Sequence, residues 1–154
     1  MKKIHVILIL FLFLFVVGCS GGSFRVEVVE GTVTLDGIPL EGATLTFIPS
    51  DSNIGKSAYA RTDMQGTFKL TAVQGGTSGA GTMVGHYRVA ISKDVPSREP
   101  TAKEITDQER GISPDIPILH IIPEKYNDAQ TSGLTAEVVK GKNIFNFDLK
   151  SNNQ

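Results

Sequence analysis

The sequence predicts an all-β protein, built as a single antiparallel β-sandwich of about seven strands. Short stretches of alternating apolar and polar residues recur along the chain and are separated by turn residues. The 154 residues include 16 glycines and 7 prolines, which suits many short strands joined by turns. Beyond the first 18 residues, no stretch sustains the 3.6-residue period of an amphipathic helix. A chain of this length is expected to form one domain, here residues 26–149.

The first two predicted strands cover residues 26–35 and 43–48. The first is interrupted near Glu30–Gly31 and ends at Asp36–Gly37, a turn signal because glycine tolerates a positive φ. Pro49 ends the second strand. The predicted core face of the second strand consists of Ala43, Leu45 and Phe47.

A turn over residues 63–66 separates two further strands, 56–62 and 67–72. Asp63 is placed to accept a hydrogen bond from the backbone two residues on, and Gly66 supplies a position for positive φ. The predicted inward-facing residues of the second strand are Phe68 and Leu70.

The second half of the domain is predicted to begin with a flexible Gly-rich connector at residues 75–81. A strand follows at 85–92, and two more, at 134–139 and 143–149, are predicted to pair as a terminal hairpin around the sequence KGKN. The inward-facing residues are predicted to be Tyr87, Val89 and Ile91 in the first of these strands and Phe145, Phe147 and Leu149 in the last.

Residues 95–117 interrupt the strand pattern with a long loop rich in proline and charge. The stretch 98–111 has a thin apolar face and predicts no more than a helical turn or two, while 118–122 is apolar enough for a short edge strand. A loop of this length in a small domain is either functional or disordered. Its mixed charges are most simply those of a solvated loop, and partner binding is the alternative.

Residues 1–18 predict a cleaved secretory signal peptide. Lys2 and Lys3 form a basic start, and an apolar run follows that is shorter than the roughly 18–20 residues that cross a bilayer. A buried core helix and a membrane anchor are the alternatives. Removing this segment lowers the basic residues from 15 to 13, against 16 acidic residues, and the net charge from −1 to −3. Nucleic-acid binding therefore has no electrostatic support.

The only cysteine follows this apolar run, in the sequence VVGC at residues 16–19. The sequence resembles the bacterial lipobox, whose cysteine takes a diacylglycerol on its thiol and becomes the first residue after cleavage. The resemblance implies a lipid anchor at Cys19, a tether over residues 19–25, and a tail over 150–154. By the sorting rule of enterobacteria, Ser20 in place of aspartate favours the outer membrane. Because Cys19 is unpaired, no intramolecular disulfide supports the fold.

The order of motifs in the domain resembles the carboxypeptidase regulatory-like and transthyretin-like β-sandwich superfamily. The end of the chain, over residues 122–126, 132–138 and 141–149, looks like a group of small lipoproteins of planctomycete bacteria. The matching positions are Gly31, Val33, Gly37, Pro39, Leu40, Gly42 and Ala43 in the opening motif, Thr62, Asp63, Gly66 and Phe68 in the turn motif, and Gly85, Tyr87 and Val89 in the strand motif.

Catalytic patterns are not found in the sequence. His86 and His120 are isolated along the chain, and HExxH, GxSxG and phosphate-loop motifs are missing. Calcium sites need clustered carboxylates, whereas Asp51, Asp63 and Asp128 are dispersed. No catalytic residue, cofactor or metal site is therefore expected.

Together these observations predict an exported, lipid-anchored protein of the bacterial cell envelope with a non-catalytic binding or structural role. Its loops or an open sheet edge would meet another envelope protein or a glycan. A carbohydrate-binding module is the alternative, weakly supported because the chain has no tryptophan and three tyrosines. A hydrolase related to the hydroxyisourate hydrolases is less favoured, because that group ends in YRGS and this chain ends in KSNNQ.

Overall fold

The computed structural model describes residues 25–51, 56–74 and 77–151. In these residues the chain forms twelve β-strands, rather than the predicted seven or so, with one α-helix and one 3₁₀ turn; the predicted all-β class is confirmed. The predicted signal peptide (1–18) and the predicted lipid attachment site, Cys19, lie outside the described residues.

One sheet has four strands and is organised around the first strand. This strand, β1 (Val29–Leu35), pairs antiparallel with β2 (Ile38–Pro39) and β5 (Thr67–Lys69), and parallel with β12 (Asn143–Leu149). The β1–β2 connection is the predicted two-residue turn Asp36–Gly37, with φ values of 52° and 80°. Positive φ at both central positions is typical of a type I′ turn, whose twist matches that of the strands it joins.

The other sheet has six strands, all paired antiparallel. In chain order they are β3 (Thr44–Pro49), β4 (Ala58–Arg61), β6 (Thr71–Gln74), β7 (Thr77–Ala80), β8 (Gly85–Ser92) and β11 (Leu134–Val138). Their order across the sheet is β11-β8-β3-β4-β6-β7.

Two predictions for the middle of the chain need correction. The single strand predicted over residues 67–72 is divided at Leu70, so that β5 and β6 belong to different sheets. The Gly-rich segment at 75–81 is not simply a flexible connector, because Thr77–Ala80 pairs with β6 along its length. Alternating side chains are not needed there, since the edge strand is held by its backbone hydrogen bonds.

The two sheets share one hydrophobic core. Phe47 in β3 lies at its centre, with ring-centroid distances of 6.3 Å to Phe68 and 6.2 Å to Phe147 of the other sheet and 6.0 Å to Tyr87 of its own. Aromatic rings at such distances contribute more than their buried area alone. The predicted inward faces are confirmed, with Phe145 partly buried and the others buried: Ala43, Leu45, Phe47, Phe68, Leu70, Tyr87, Val89, Ile91, Phe147 and Leu149.

The predicted terminal hairpin is wrong, because its two strands lie in different sheets. β11 pairs with β8, and β12 pairs with β1 in the only parallel pair among the described strands. The buried side chain of Asn143 holds the corner between them. Its Oδ1 accepts from the Val139 N–H at 2.9 Å, and its Nδ2 donates to the carbonyls of Val139 at 2.9 Å and Gly141 at 3.0 Å. These bonds satisfy the corner backbone that a hairpin would have paired across its strands.

Residues 93–121, which we call the arm, extend from the chain between β8 and the 3₁₀ turn. The arm has its own two-stranded antiparallel sheet, formed by β9 (Asp94–Pro96) and β10 (Ile118–His120), with helix α1 (Ala102–Glu109) between them in sequence. The predicted short strand within residues 118–122 is thus confirmed, although its partner is β9 rather than a core strand. The predicted loop at 95–117 contains two turns of helix.

The remaining described residues form what we call the body. The chain returns to it from the arm through Ile122, which is buried in the shared core. The 3₁₀ turn (Glu124–Asn127) follows and buries Tyr126, whose hydroxyl accepts from the Lys150 N–H at 3.2 Å. Arm and body are therefore distinct in burial, since no residue of 93–121 is buried.

Candidate functional site

The turn motif at residues 63–66 is fixed by Asp63. Its Oδ1 accepts from the backbone N–H of Gln65 at 3.0 Å and of Thr67 at 2.8 Å. Gly66 has a φ of 70°, and a Cβ there would lie 2.5 Å from the Val33 carbonyl oxygen. The glycine therefore meets two demands at once, a left-handed backbone and close contact with β1.

Gly31 has a role that the sequence pattern did not reveal. It lies inside β1, opposite Phe145 in the parallel pair with β12, and a Cβ would overlap the Phe145 carbonyl oxygen. The strand break predicted near Glu30–Gly31 is absent, and β1 is continuous. Glycine is needed here because a neighbouring backbone approaches closely. Gly37, in contrast, has no atom near its Cβ position and is needed only for its φ.

Phe68 and Tyr87 are both core residues, each about 1% exposed. The Tyr87 hydroxyl donates to the Met83 carbonyl at 2.8 Å and lies 3.1 Å from Thr82 Oγ1. Its polar end is thus satisfied inside the core, as buried tyrosines usually are. All six body residues singled out from the sequence occupy turns, strand contacts or the core, and none of them points to a reaction.

The two histidines among the described residues lie towards opposite ends of β8. His86 is the second residue of that strand, and His120 lies in the arm, beyond the strand's other end. The Nδ1 of His120 is 2.7 Å from Oδ1 of Asp94, its partner across the β9–β10 pair, and both side chains are nearly half exposed. The sequence gives no sign of this pair, because Asp94 lies 26 residues before His120 and reaches it only through the pairing of β9 with β10. The exposed contact links the two strands of the arm.

Within residues 25–51, 56–74 and 77–151, His, Cys, Asp and Glu side chains do not gather in threes as they would around a metal ion. Helix α1, eight residues long, is the one α-helix in that part, and none there is long and apolar enough to cross a membrane.

The arm is held in shape by polar contacts near α1. Thr101 caps the helix: its Oγ1 accepts from the Glu104 N–H at 3.3 Å, and Glu104 Oε2 accepts from the Thr101 N–H at 2.8 Å. The Arg98 guanidinium donates two hydrogen bonds to the same carboxylate, at 2.7 and 2.9 Å. These hydrogen bonds hold the pKa of Glu104 well below its usual range. The bond from the Arg98 guanidinium has the largest effect, and those from the Thr101 N–H and hydroxyl come next. One glutamate thus satisfies both a helix end and a cation.

The Thr101–Glu104 pair follows the S/T-x-x-E capping pattern, so the start of α1 was detectable in the sequence. The one or two helical turns predicted within residues 98–111 are confirmed by α1. The thin apolar face is confirmed as well, since α1 buries none of its residues. Its stability within the chain therefore comes from its polar ends rather than from packing.

The arm exposes more large aliphatic side chains than its size would suggest. Five of them are between 40% and 58% exposed: Ile105, Ile112, Ile118, Leu119 and Ile121. Rigid scaffolds that hold apolar side chains in water are typical of binding surfaces. We take these five residues, which we call the arm aliphatics, as the candidate functional site.

The base of the arm fixes where these side chains are presented. The Ile121 N–H donates to the Lys93 carbonyl at 2.9 Å, closing residues 93–121 into one loop, and the next residue, Ile122, is buried. The Ser97 N–H donates to the Pro117 carbonyl at 2.8 Å, just beyond the Pro96–Ile118 pair at the other end of the two-stranded sheet. The arm therefore leaves the body at a defined point, the end of β8.

Comparison with known proteins gives no relative for this chain. A scan against models of protein families, a search of curated proteins and a search of solved structures each found no match.

Proposed function

We propose that this chain is a lipid-anchored protein of the bacterial cell envelope that binds an envelope partner through its arm and performs no catalysis. Cys19 would carry the lipid after removal of residues 1–18, and the outer membrane is the favoured location. The body would be a single β-sandwich of the carboxypeptidase regulatory-like or transthyretin-like kind. The two sheets around one core support that architecture.

The observation that carries the binding role is the exposure of the arm aliphatics. Fully burying a large aliphatic side chain contributes about 1.5–3 kcal/mol, so each of these half-exposed residues forgoes roughly half of that stabilisation. The body forms a large buried core, although eight of its large hydrophobic side chains are also exposed, whereas the arm buries none of its residues. Five such residues in a segment that is nowhere buried favour a partner that covers them.

A protein partner is favoured over a glycan. Sugar-binding faces usually present aromatic rings, and among the tyrosines only Tyr59 is exposed, on the outer face of β4, whereas Tyr87 and Tyr126 are buried. The hydrolase alternative has less support, because His86 and His120 are separated by the length of β8.

The lipid anchor is tested with Cys19→Ser. Wild-type protein should sediment with membranes and incorporate radiolabelled fatty acid, and the variant should lose both properties. A variant that still sediments with membranes would overturn the anchor.

The binding role is tested by photo-crosslinking in cells. A photo-reactive amino acid at Ile112, the most exposed of the arm aliphatics, should give a discrete protein adduct. The same amino acid at Tyr59 is the matched control, because it is similarly exposed but lies on the body. Equal adducts from both positions, or none from Ile112 together with specific binding to a glycan array, would contradict a protein partner at the arm.

A further inference from the structure

We propose that the end of the body opposite the arm rests on the lipid surface, with Val28, Val84, Val139 and Ile144 against the bilayer. We call these four residues the basal aliphatics. The inference rests on the proposed lipid anchor, and it adds an orientation: the membrane is the partner of one end of the body, and the arm is held away from it.

The N-terminal segment leaves the body at a fixed place. Glu27 forms an isolated bridge with Thr82, in which the Glu27 N–H donates at 2.7 Å and the Thr82 N–H donates back at 3.1 Å. The Glu27 carboxylate also accepts from the Gly141 N–H at 2.8 Å. The chain before Glu27 therefore emerges between the segment that leads into β8 and the corner that leads into β12.

The basal aliphatics surround this exit. Asn143 connects three of them, because its N–H donates to the Val28 carbonyl at 2.9 Å, its side chain holds Val139, and Ile144 follows it. Val84 directly precedes Gly85, the partner of Val138 at the end of β11. Each of the four is 47–60% exposed. Apolar side chains in this arrangement suit insertion into the boundary between headgroups and acyl chains.

Basic residues at the same end complement an anionic membrane. Arg25, Lys140 and Lys142 are exposed there. Of the nearby acids, Glu30 pairs with Lys142 at 2.7 Å, Glu27 is engaged by the backbone of the corner, and Glu137 is exposed in β11. Lysine and arginine close to a bilayer are attracted by anionic headgroups, so the two cations here without an ion pair among the described residues, Arg25 and Lys140, favour the same orientation as the apolar residues.

The length of the tether limits how far the body can lie from the bilayer. The six residues from Cys19 to Phe24 can span at most about 20 Å, even fully extended. The eight residues of β8 lead from the basal end to the arm, and at about 3.3 Å per residue they separate the two by about 25 Å. A short tether that starts at the basal end therefore keeps that end near the lipid and leaves the arm free for its partner.

Fluorescence quenching on the intact lipidated protein tests this orientation. Since Cys19 is the only cysteine and its thiol would be acylated, Val139→Cys and Ile112→Cys each supply one free thiol. Each is labelled with a nitrobenzoxadiazole probe. The protein is then placed in vesicles of phosphatidylethanolamine and phosphatidylglycerol, with or without nitroxide-labelled lipid.

Quenching by the nitroxide lipid should be about threefold stronger or more at position 139 than at 112, because only the former contacts the interface. Ile144→Cys provides a second basal position if Val139→Cys fails to fold. Adding Lys140→Glu should weaken the quenching at position 139. Equal quenching at both ends, or stronger quenching at 112, would overturn the orientation.

Flotation of the same vesicles separates the two proposals. Protein that floats with the vesicles but shows equal quenching contradicts the orientation and leaves the anchor standing. Protein without introduced cysteines that reacts with the probe and does not float has an unmodified Cys19, and then the anchor itself fails.

Discussion

The body and the arm of this protein keep their shapes in opposite ways. The body is held by contacts between residues far apart in the sequence, such as the parallel pairing of β1 with β12 and the aromatic cluster around Phe47. The arm is held mostly by contacts a few residues apart, such as those of Arg98 and Thr101 with Glu104. The comparison indicates that the body can lose arm contacts with little effect, whereas a single core contact matters to the whole domain.

The largest effect should come from the centre of the core. Phe47→Ala should lower the free energy of unfolding by about 3–5 kcal/mol, because it removes a fully buried ring and leaves a cavity. Urea denaturation followed by circular dichroism measures the change. Leu119→Ala, a truncation of an exposed arm residue, should change it by no more than about 0.5 kcal/mol. A comparable loss from both variants would contradict the division between body and arm.

Two glycine substitutions make a sharper comparison. Gly31→Ala should cost about 3 kcal/mol, because its Cβ would overlap the backbone of Phe145 and force β1 and β12 apart. Gly111→Ala in the arm should cost about 1 kcal/mol, because it meets only the strain of a φ of 82° in open space. Chemical denaturation of both variants shows which one loses more of the free energy of unfolding. If Gly31→Ala leaves it unchanged, the parallel pairing of β1 with β12 is contradicted.

Substitution at the corner between the sheets should cause an intermediate loss in the free energy of unfolding. Asn143→Ala removes the side chain that satisfies Val139 and Gly141 and should cost about 1–3 kcal/mol. Asn146→Ala is the matched control on the same strand, since its side chain is exposed and accepts one bond, from Thr32. Its expected cost is below about 1 kcal/mol. Equal thermal stability of the two variants would count against the role of Asn143.

The smallest effect concerns the pH dependence of the arm. The pKa of Glu104 is lower in the folded arm than in the unfolded chain, so ionised Glu104 stabilises the fold. This stabilisation is fully present above the ordinary glutamate range and is lost only as the pH falls through the lowered pKa. A carbon-13 NMR titration should place the Glu104 midpoint below that range, and Arg98→Ala should raise it. Lys103→Ala, which removes the partner of Asp107, should leave it nearly unchanged. If Arg98→Ala leaves the titration midpoint of Glu104 unchanged, the Arg98–Glu104 ion pair does not form in solution.

The sequence was most informative where structure is local. Alternation predicted the inward faces of the strands around Phe47 and Val89, and Asp36–Gly37 predicted its turn, because these features depend on neighbouring residues. The partners of β11 and β12 were not predictable in the same way. Their adjacency suggested a hairpin, and the true pairing depends on Asn143 and on the close contact at Gly31, both of which involve distant segments.

The candidate site was located only in part. The long segment at 95–117 is predicted from its length to be either functional or disordered, and the capping pattern at Thr101 marks where its helix begins. Which side chains the segment exposes could not be inferred, because the exposure of Ile118 and Leu119 depends on how β9 and β10 fold away from the core. The basal aliphatics are scattered along the sequence and come together only in three dimensions.

Shortening the arm tests the central claim most directly. Residues 97–117 are replaced by Asn-Gly, so that β9 and β10 become a hairpin with a type I′ turn. We predict that the free energy of unfolding stays within about 1 kcal/mol of the full chain, since no residue of that segment is buried. The partner identified by crosslinking through Ile112 of the full chain should be captured about tenfold less, or worse, by the shortened chain, because Ile105 and Ile112 are removed. Loss of several kcal/mol, or undiminished recovery, would contradict a body that folds by itself and an arm that binds.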